Sequence, residues 1–329
     1  MLAPLTIPFV IALGLAADEK PFVLRTGDRI VLLGDTLIER DQTHGYLETA
    51  LLSRFPSRKL RFRNLGWSAD TVEGLSRVYF DSAEKGKERL HEQAKGEKPT
   101  VLLIGYGMAE SLENPANSTP FSKRLASLLD VIAKDAENVV LISPIRHEDM
   151  APPFPDAAAH NHVLVDHVES IRLLANDRRF PFVDLFHGLS SMQREYSLSN
   201  LTDNGIHLNR LGYWLFAQEF QRSLGMKEEA ITASLDAKGS VLSQEGCVIS
   251  NVQATASGLQ FDQLDVRLPT CITGVPEDAW LLPGVVRPAL CVTGLPTGNY
   301  RLAIDDREIA RASRRGMADR SFSLEHAPA

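Results

Sequence analysis

The chain is poor in cysteine: Cys247, Cys271 and Cys291 are the three it has in 329 residues, all in the final third. None lies in a CxxC pair or near a histidine at zinc-ligand spacing, so a structural metal site is not expected. In an oxidising compartment two of them could pair, and the spacing does not choose which. Runs of one charge are also missing. Formal net charge is −7 with the 35 Lys and Arg scattered, which leaves no basic stripe to neutralise phosphates and excludes DNA, RNA and anionic membrane as expected partners. Long apolar runs are absent after the first residues, so no later membrane span is expected.

The first residues differ from the rest. Met1 to Ala17 carries no charge, and the apolar run Leu5 to Ala16 closes on Gly14-Leu15-Ala16-Ala17, small residues of the kind a signal peptidase cuts after. Asp18-Glu19-Lys20-Pro21 then opens a polar chain. Residues 1–17 are therefore expected to be a signal peptide, with the mature protein secreted or periplasmic and not inserted in a membrane.

From Asp28 to Leu224, short apolar runs alternate with amphipathic stretches, the pattern of a parallel sheet covered by helices on both faces. The runs are Ile30–Leu33, Leu60–Asn64, Thr100–Ile104, Val139–Ile142 and Pro181–Leu185. Several are almost wholly apolar, as strands buried on both faces must be. Helices are expected over Gly45–Phe55, Phe121–Ala133, Asp156–Ala175 and Arg210–Leu224, where apolar residues recur at three- and four-residue spacing. This α/β domain is assigned to residues 18–225. A linker helix is expected over 226–238, centred on Lys227–Asp236, then a small all-β domain over 239–311 and a polar, loose tail over 312–329. In the β unit, Gly298 to Ile309 reads as a hairpin turning at Asp305-Asp306.

Working residues of such sheets gather in the loops at the carboxyl ends of the strands. Those loops read Gly34-Asp35-Thr36-Leu37, Asn64-Leu65-Gly66-Trp67-Ser68, Gly105-Tyr106-Gly107-Met108-Ala109-Glu110 and, before the last helix, Thr202-Asp203-Asn204-Gly205-Ile206-His207-Leu208. In order and spacing these four blocks resemble those of the SGNH (GDSL-type) hydrolases: Gly-Asp-Ser, a glycine, Gly-x-Asn-Asp/Glu, and an Asp with a His. The resemblance implies a three-layer αβα, flavodoxin-like domain with a five-stranded parallel sheet in the order two-one-three-four-five. It also implies carboxylic-ester hydrolysis without a cofactor, on a small-molecule or carbohydrate ester.

Two positions depart from that pattern: Thr36 stands where the family has its nucleophilic serine, and Ala109 where it has an asparagine that donates to the oxyanion. A threonine hydroxyl can attack an acyl carbon, but its branched Cβ crowds the adduct. Loss of one oxyanion donor costs about two to three orders of magnitude in turnover. By resemblance the catalytic set is Thr36, His207 as base, and Asp203 orienting His207, with Asn204 as the other candidate for that task. The backbone N–H groups of Thr36 and Gly66 are the expected oxyanion donors, and Ser68, Ser111 or Asn64 could replace the missing amide.

Asp35 and Glu110 read as loop-holding acceptors at the cleft. Trp67 and Tyr106 either stack on a substrate or pack beneath the loops. His147, at the end of strand four, is a candidate cleft residue, whereas His160, His162 and His167 read as helix-face residues rather than a metal cluster. The expected function is thus a slow, exported ester hydrolase acting for example on acyl groups of carbohydrate. The competing readings are a binding module that has lost turnover, and a scaffold whose β unit docks to a glycan or partner chain. The oligomeric state stays open.

Overall fold

The computed structural model describes residues 22–113, 119–153, 156–227, 230–268, 285–286, 288–314 and 322–323. The segment 1–17, expected to be a signal peptide, and Cys271 lie outside the described residues. The α/β domain runs β1 (Arg29–Gly34), α1 (Thr36–His44), α2 (Tyr46–Arg54), β2 (Arg61–Asn64), α3 (Ala83–Gly96), β3 (Val101–Gly105), α4 (Phe121–Ile132), β4 (Asn138–Ile142), α5 (Ala157–Arg178), β5 (Phe182–Val183), α6 (Leu185–Glu195) and α7 (Arg210–Ser223). The strands form one parallel sheet in the expected order β2-β1-β3-β4-β5.

Alternation along each strand builds the three layers. Ile30, Leu32, Val101 and Leu103 join one buried cluster with residues of α1, α2, α6 and α7, among them Trp214, Phe216 and Phe220. Val31, Leu33, Leu102 and Ile104 point the other way, into a cluster with Leu90 of α3, Leu125 and Leu129 of α4, and Ile171 of α5. Both faces are covered, which is why these strands carry no polar alternation. Helices α1, α3 and α6 have no counterpart in the expected set. α3 in particular is charged along most of its length and buries only Gly86, Leu90 and Ala94.

The β unit follows. A four-stranded sheet has the order β13-β10-β6-β7, with β6 (Thr232–Asp236), β7 (Val241–Glu245), β10 (Ala289–Thr293) and β13 (Phe322–Ser323), and β6 pairs β10 in parallel. Two hairpins flank it: β8 (Cys247–Thr255) with β9 (Gly258–Asp265), and β11 (Gly298–Ile304) with β12 (Arg307–Arg314). The second turns at Asp305 and Asp306, whose φ angles of 48° and 65° suit a tight hairpin turn, as expected.

Two expectations for this region are overturned. The linker helix is not there: Thr232–Asp236 is a strand, because its period-two alternation buries Ala233 and Leu235 against Ile231, Cys247, Ile249 and Leu290. Nor is all of 312–329 loose, since β12 extends to Arg314 and the backbone of Phe322–Ser323 pairs with Leu290 and Ala289.

Candidate active site

All four blocks come out at the carboxyl end of the sheet. Thr36 begins α1 behind Asp35, which caps the helix by accepting from the N–H of Leu37 at 3.0 Å. The second Asp35 oxygen accepts from Met108 N–H at 3.3 Å, and Ala109 N–H also bonds the carboxyl, so the first and third blocks are tied by one side chain. Burial pushes Asp35 up to about 7 against the pull of those N–H donors. Glu110 plays the same part between the segment after the second block and the third block, accepting from Val72 N–H at 2.8 Å and Gly107 N–H at 3.0 Å, and burial lifts it to about 8. Both acidic side chains accept backbone N–H groups that join two loops.

The hydroxyl oxygen of Thr36 accepts from Ala69 N–H at 2.8 Å and is covered by the second block. That block is held by a fully buried ion pair, Arg77 Nε to Asp70 Oδ2 at 2.8 Å, and Arg77 also donates to Leu65 O at 2.7 Å. Tyr106 is buried and directs its hydroxyl to Asp70 at 3.3 Å, so it packs beneath the loops and does not line the cleft mouth. Trp67 is half-buried, edge-on to Tyr79 and under the Arg77 guanidinium.

Gly66, an expected oxyanion donor, has its N–H turned to a loop acceptor. Its N–H donates to the Asn64 side-chain oxygen at 2.8 Å, so it is already satisfied. Glycine is required there for another reason: a Cβ would lie 2.3 Å from Glu39 N and 2.7 Å from Ile38 C in the first turns of α1. The candidate substitutes for the missing Ala109 amide are engaged too. Asn64 donates to Ile38 O at 2.6 Å, Ser68 to Glu39 at 3.2 Å, and Ser111 to Met108 O at 2.6 Å.

The fourth block brings the largest departure. Asp203 does not orient His207; its carboxylate pairs at 3.3 Å with Arg40, four residues past Thr36 on α1, and the pair is solvent-exposed. It faces that way because the turn closes through Asp203 N–H to His207 O at 2.9 Å. Asn204 is the residue on the ring, its amide nitrogen 3.1 Å from His207 Nδ1. The amide orientation follows from its other bonds: the atom facing the N–H groups of His207 at 3.0 Å and Ile206 at 3.3 Å must be the acceptor oxygen. The NH2 group therefore donates to Nδ1, and the neutral ring carries its proton on Nε2. Burial first, then Arg40, hold the His207 pKa below the usual imidazole value, against the opposing charges of Asp203 and Glu39. Burial and Arg40 both favour the neutral ring.

Glu148, after β4, was not among the expected site residues. Its carboxylate accepts from Leu201 N–H at 2.9 Å, Thr202 N–H at 2.9 Å, the Thr202 hydroxyl and Gln193 Nε2 at 2.7 Å. The signal for it was the polar run Arg146-His147-Glu148 at a strand's carboxyl end. His147 is buried, stacked on His160 with centroids 4.8 Å apart, and burial pushes it down to about 4. With Glu148, Ser190, Gln193 and Thr202 it lines a cleft of about 310 Å³ beside the His207 loop. His160 bonds the Ser111 hydroxyl at 2.8 Å and His167 donates from Nδ1 to Gly107 O at 2.9 Å, so these α5 histidines support the third block. His162 lies on the exposed side of α5. Among the described residues no group of three His, Cys, Asp or Glu is placed to hold a metal ion.

Comparison with known proteins follows the same residues. The model of the GDSL-like Lipase/Acylhydrolase family matches residues 32–215, more than half of the chain. No curated protein matches it. Among solved structures the chain is similar to BT4096, described as a gut microbial diltiazem-metabolizing enzyme, at 22% identity over 92% of this chain and 73% of that one, with a TM-score of 0.69. A candidate GDSL-like lipase from Parabacteroides merdae aligns at 18% identity over 63% of this chain and 100% of its own, with a TM-score of 0.51. A catalytic mutant of Axe2, an acetylxylan esterase from Geobacillus stearothermophilus, aligns at 16% identity, 62% of this chain and 97% of its own, with a TM-score of 0.50. At these identities the likeness to the solved structures is one of fold.

Proposed function

Because the chain belongs to the GDSL-like lipase/acylhydrolase family, we propose that it is a slow carboxylic-ester hydrolase in which Thr36 attacks, His207 moves the proton, and Asn204 limits the rate. The observation that carries this reading is the Asn204 amide on His207 Nδ1. To accept the Thr36 proton, Nε2 needs a free lone pair, so the ring must carry its own proton on Nδ1. That tautomer requires the Asn204 amide to turn over, which breaks the bonds from the His207 and Ile206 N–H groups, each worth about 1 kcal/mol. In serine hydrolases, replacing the orienting Asp by Asn lowers turnover about 10⁴-fold through the same tautomer effect.

In the acylation step the Thr36 oxygen bonds to the acyl carbon while its proton passes to His207 Nε2. Collapse of the adduct returns that proton to the departing alcohol. Water then repeats the sequence on the acyl-threonine, releasing the acid. The Thr36 oxygen accepts from Ala69 N–H and attacks with its second lone pair. O-acyl groups on carbohydrate are the substrate class to try first, given the activity named for Axe2, and the uncharged segment 1–17 supports action outside the cytoplasm.

Asn204→Asp is expected to raise kcat on an acetyl ester by about 10²-fold or more, and Thr36→Ser to add to it. A second reading, ester binding without turnover, is favoured by the engaged Gly66 N–H. It becomes the account of this site if the folded double variant hydrolyses neither p-nitrophenyl acetate nor acetylated glycans.

A further inference from the structure

We propose that Glu148 is the positioning residue of His207: its carboxylate suspends the loop that carries the base. The inference rests on the reading of His207 as the proton-moving group, and the geometry behind it is independent of turnover. Glu148 reaches the loop through both oxygens. Oε1 takes Leu201 N–H at 2.9 Å and the Gln193 amide at 2.7 Å, while Oε2 takes Thr202 N–H at 2.9 Å and the Thr202 hydroxyl. Having donated to Glu148, the Thr202 oxygen accepts from Gly205 N–H at 3.0 Å, and Glu148 N–H itself donates to Gly205 O at 2.8 Å. Both ends of the turn before His207 are therefore fixed to one residue of the β4–α5 loop.

Apart from the exposed Arg40–Asp203 pair to α1, the turn is otherwise closed on itself. Asp203 N–H bonds His207 O at 2.9 Å, Asn209 N–H bonds Leu201 O at 2.8 Å, and Thr202 bridges Leu208. These bonds hold its shape but do not connect it to the sheet; Glu148 does. Gly205 shows how tightly the two segments meet. Its φ is +87°, and a Cβ there would stand 2.8 Å from Glu148 O. A carboxylate suits the position because each donor facing it is an N–H or O–H, and a group with acceptors only can satisfy them together. An amide offers one oxygen and turns an NH2 group toward donors.

Glu148→Gln is the direct test, read on protein labelled with ¹⁵N histidine, with His207→Gln assigning the ring signals. The expected result is a folded protein in which the His207 ring signals shift and its titration midpoint rises toward that of a free imidazole. Ester kcat should drop about 10- to 100-fold with KM within about twofold. Should Glu148→Gln fail to fold, Thr202→Val removes the hydroxyl that donates to Glu148 and accepts from Gly205 N–H, and is expected to move the same ring signals, whereas Thr202→Ser, which keeps the hydroxyl, leaves them in place. Ring signals and midpoint unchanged in a folded Glu148→Gln or Thr202→Val protein overturn the proposal. A wild-type protein without esterase activity counts against the hydrolase reading alone, because the ring signals still decide the role of Glu148.

Discussion

The loops after β1, β2 and β3 are tied together by charges and carboxyls that water does not reach, whereas the loop that carries His207 hangs from the half-buried Glu148 and an exposed ion pair. On the Thr36 side, Asp35, Glu110 and the Asp70–Arg77 pair are all buried, and each bonds backbone groups of two different segments. On the His207 side, the Arg40–Asp203 side chains are 36% and 58% exposed. Breaking a buried pair strands a charge, while breaking an exposed one lets water take over. The nucleophile half of the cleft is thus fixed by the fold, and the base half is adjustable.

That contrast is broken or sharpened most severely by substituting one arginine from each half. Arg77→Met leaves Asp70 buried and unpaired, and is expected to lower the unfolding free energy by about 3–5 kcal/mol in urea titration. Arg40→Met should cost about 0–1 kcal/mol. It should also raise the His207 midpoint, because Arg40 is one of the groups holding that pKa down. Equal costs for the two variants would remove the distinction between the halves.

A second effect comes from protons. Burial raises Asp35 and Asp41 to about 7 and Glu110 to about 8, so the folded chain binds these protons more tightly than the unfolded one. Stability from this source is complete below the unfolded carboxylate pKa and falls as pH rises through the folded values. The melting temperature should therefore decline from about pH 5 to about pH 8. Asp41→Asn should flatten the decline, since Asp41 Oδ1 is buried with no hydrogen-bond partner. A melting temperature that climbs over that range contradicts the assignment.

An effect smaller than that of Arg77→Met falls on the adjustable side. Gly205→Ala combines a left-handed backbone with the close approach to Glu148 O, and should cost about 1–2 kcal/mol. Its signature is that the His207 ring signals move while those of His160 and His167, which support the third block, stay in place.

Much of this architecture was legible because strands buried on two faces must be apolar at every position, as Ile30–Leu33 and Val139–Ile142 are. The order of the four blocks then placed Thr36 and His207 at one end of the sheet. Helix α1 was hidden because it is mostly polar and buries only Thr36, Leu37, Ile38 and Asp41. Thr232–Asp236 reads as helix in sequence because Ala and Leu at that spacing serve either structure, and only the partner strands decide. The choice between Asp203 and Asn204 turns on which of two adjacent side chains a tight turn directs at the ring. The engagement of Gly66 N–H by Asn64, two residues away, likewise belongs to loop geometry rather than to pattern. Glu148 is marked only by the polar run Arg146-His147-Glu148, which does not reveal its role, because the donors it serves lie more than forty residues away.

The central claim is that Asn204 holds His207 in the tautomer unable to act as a base. The most direct measurement is the ¹⁵N spectrum of the His207 ring near pH 8, in the wild type and in Asn204→Asp. The account predicts a proton on Nε2 in the wild type and on Nδ1 in the variant. A wild-type ring already protonated on Nδ1 would contradict it.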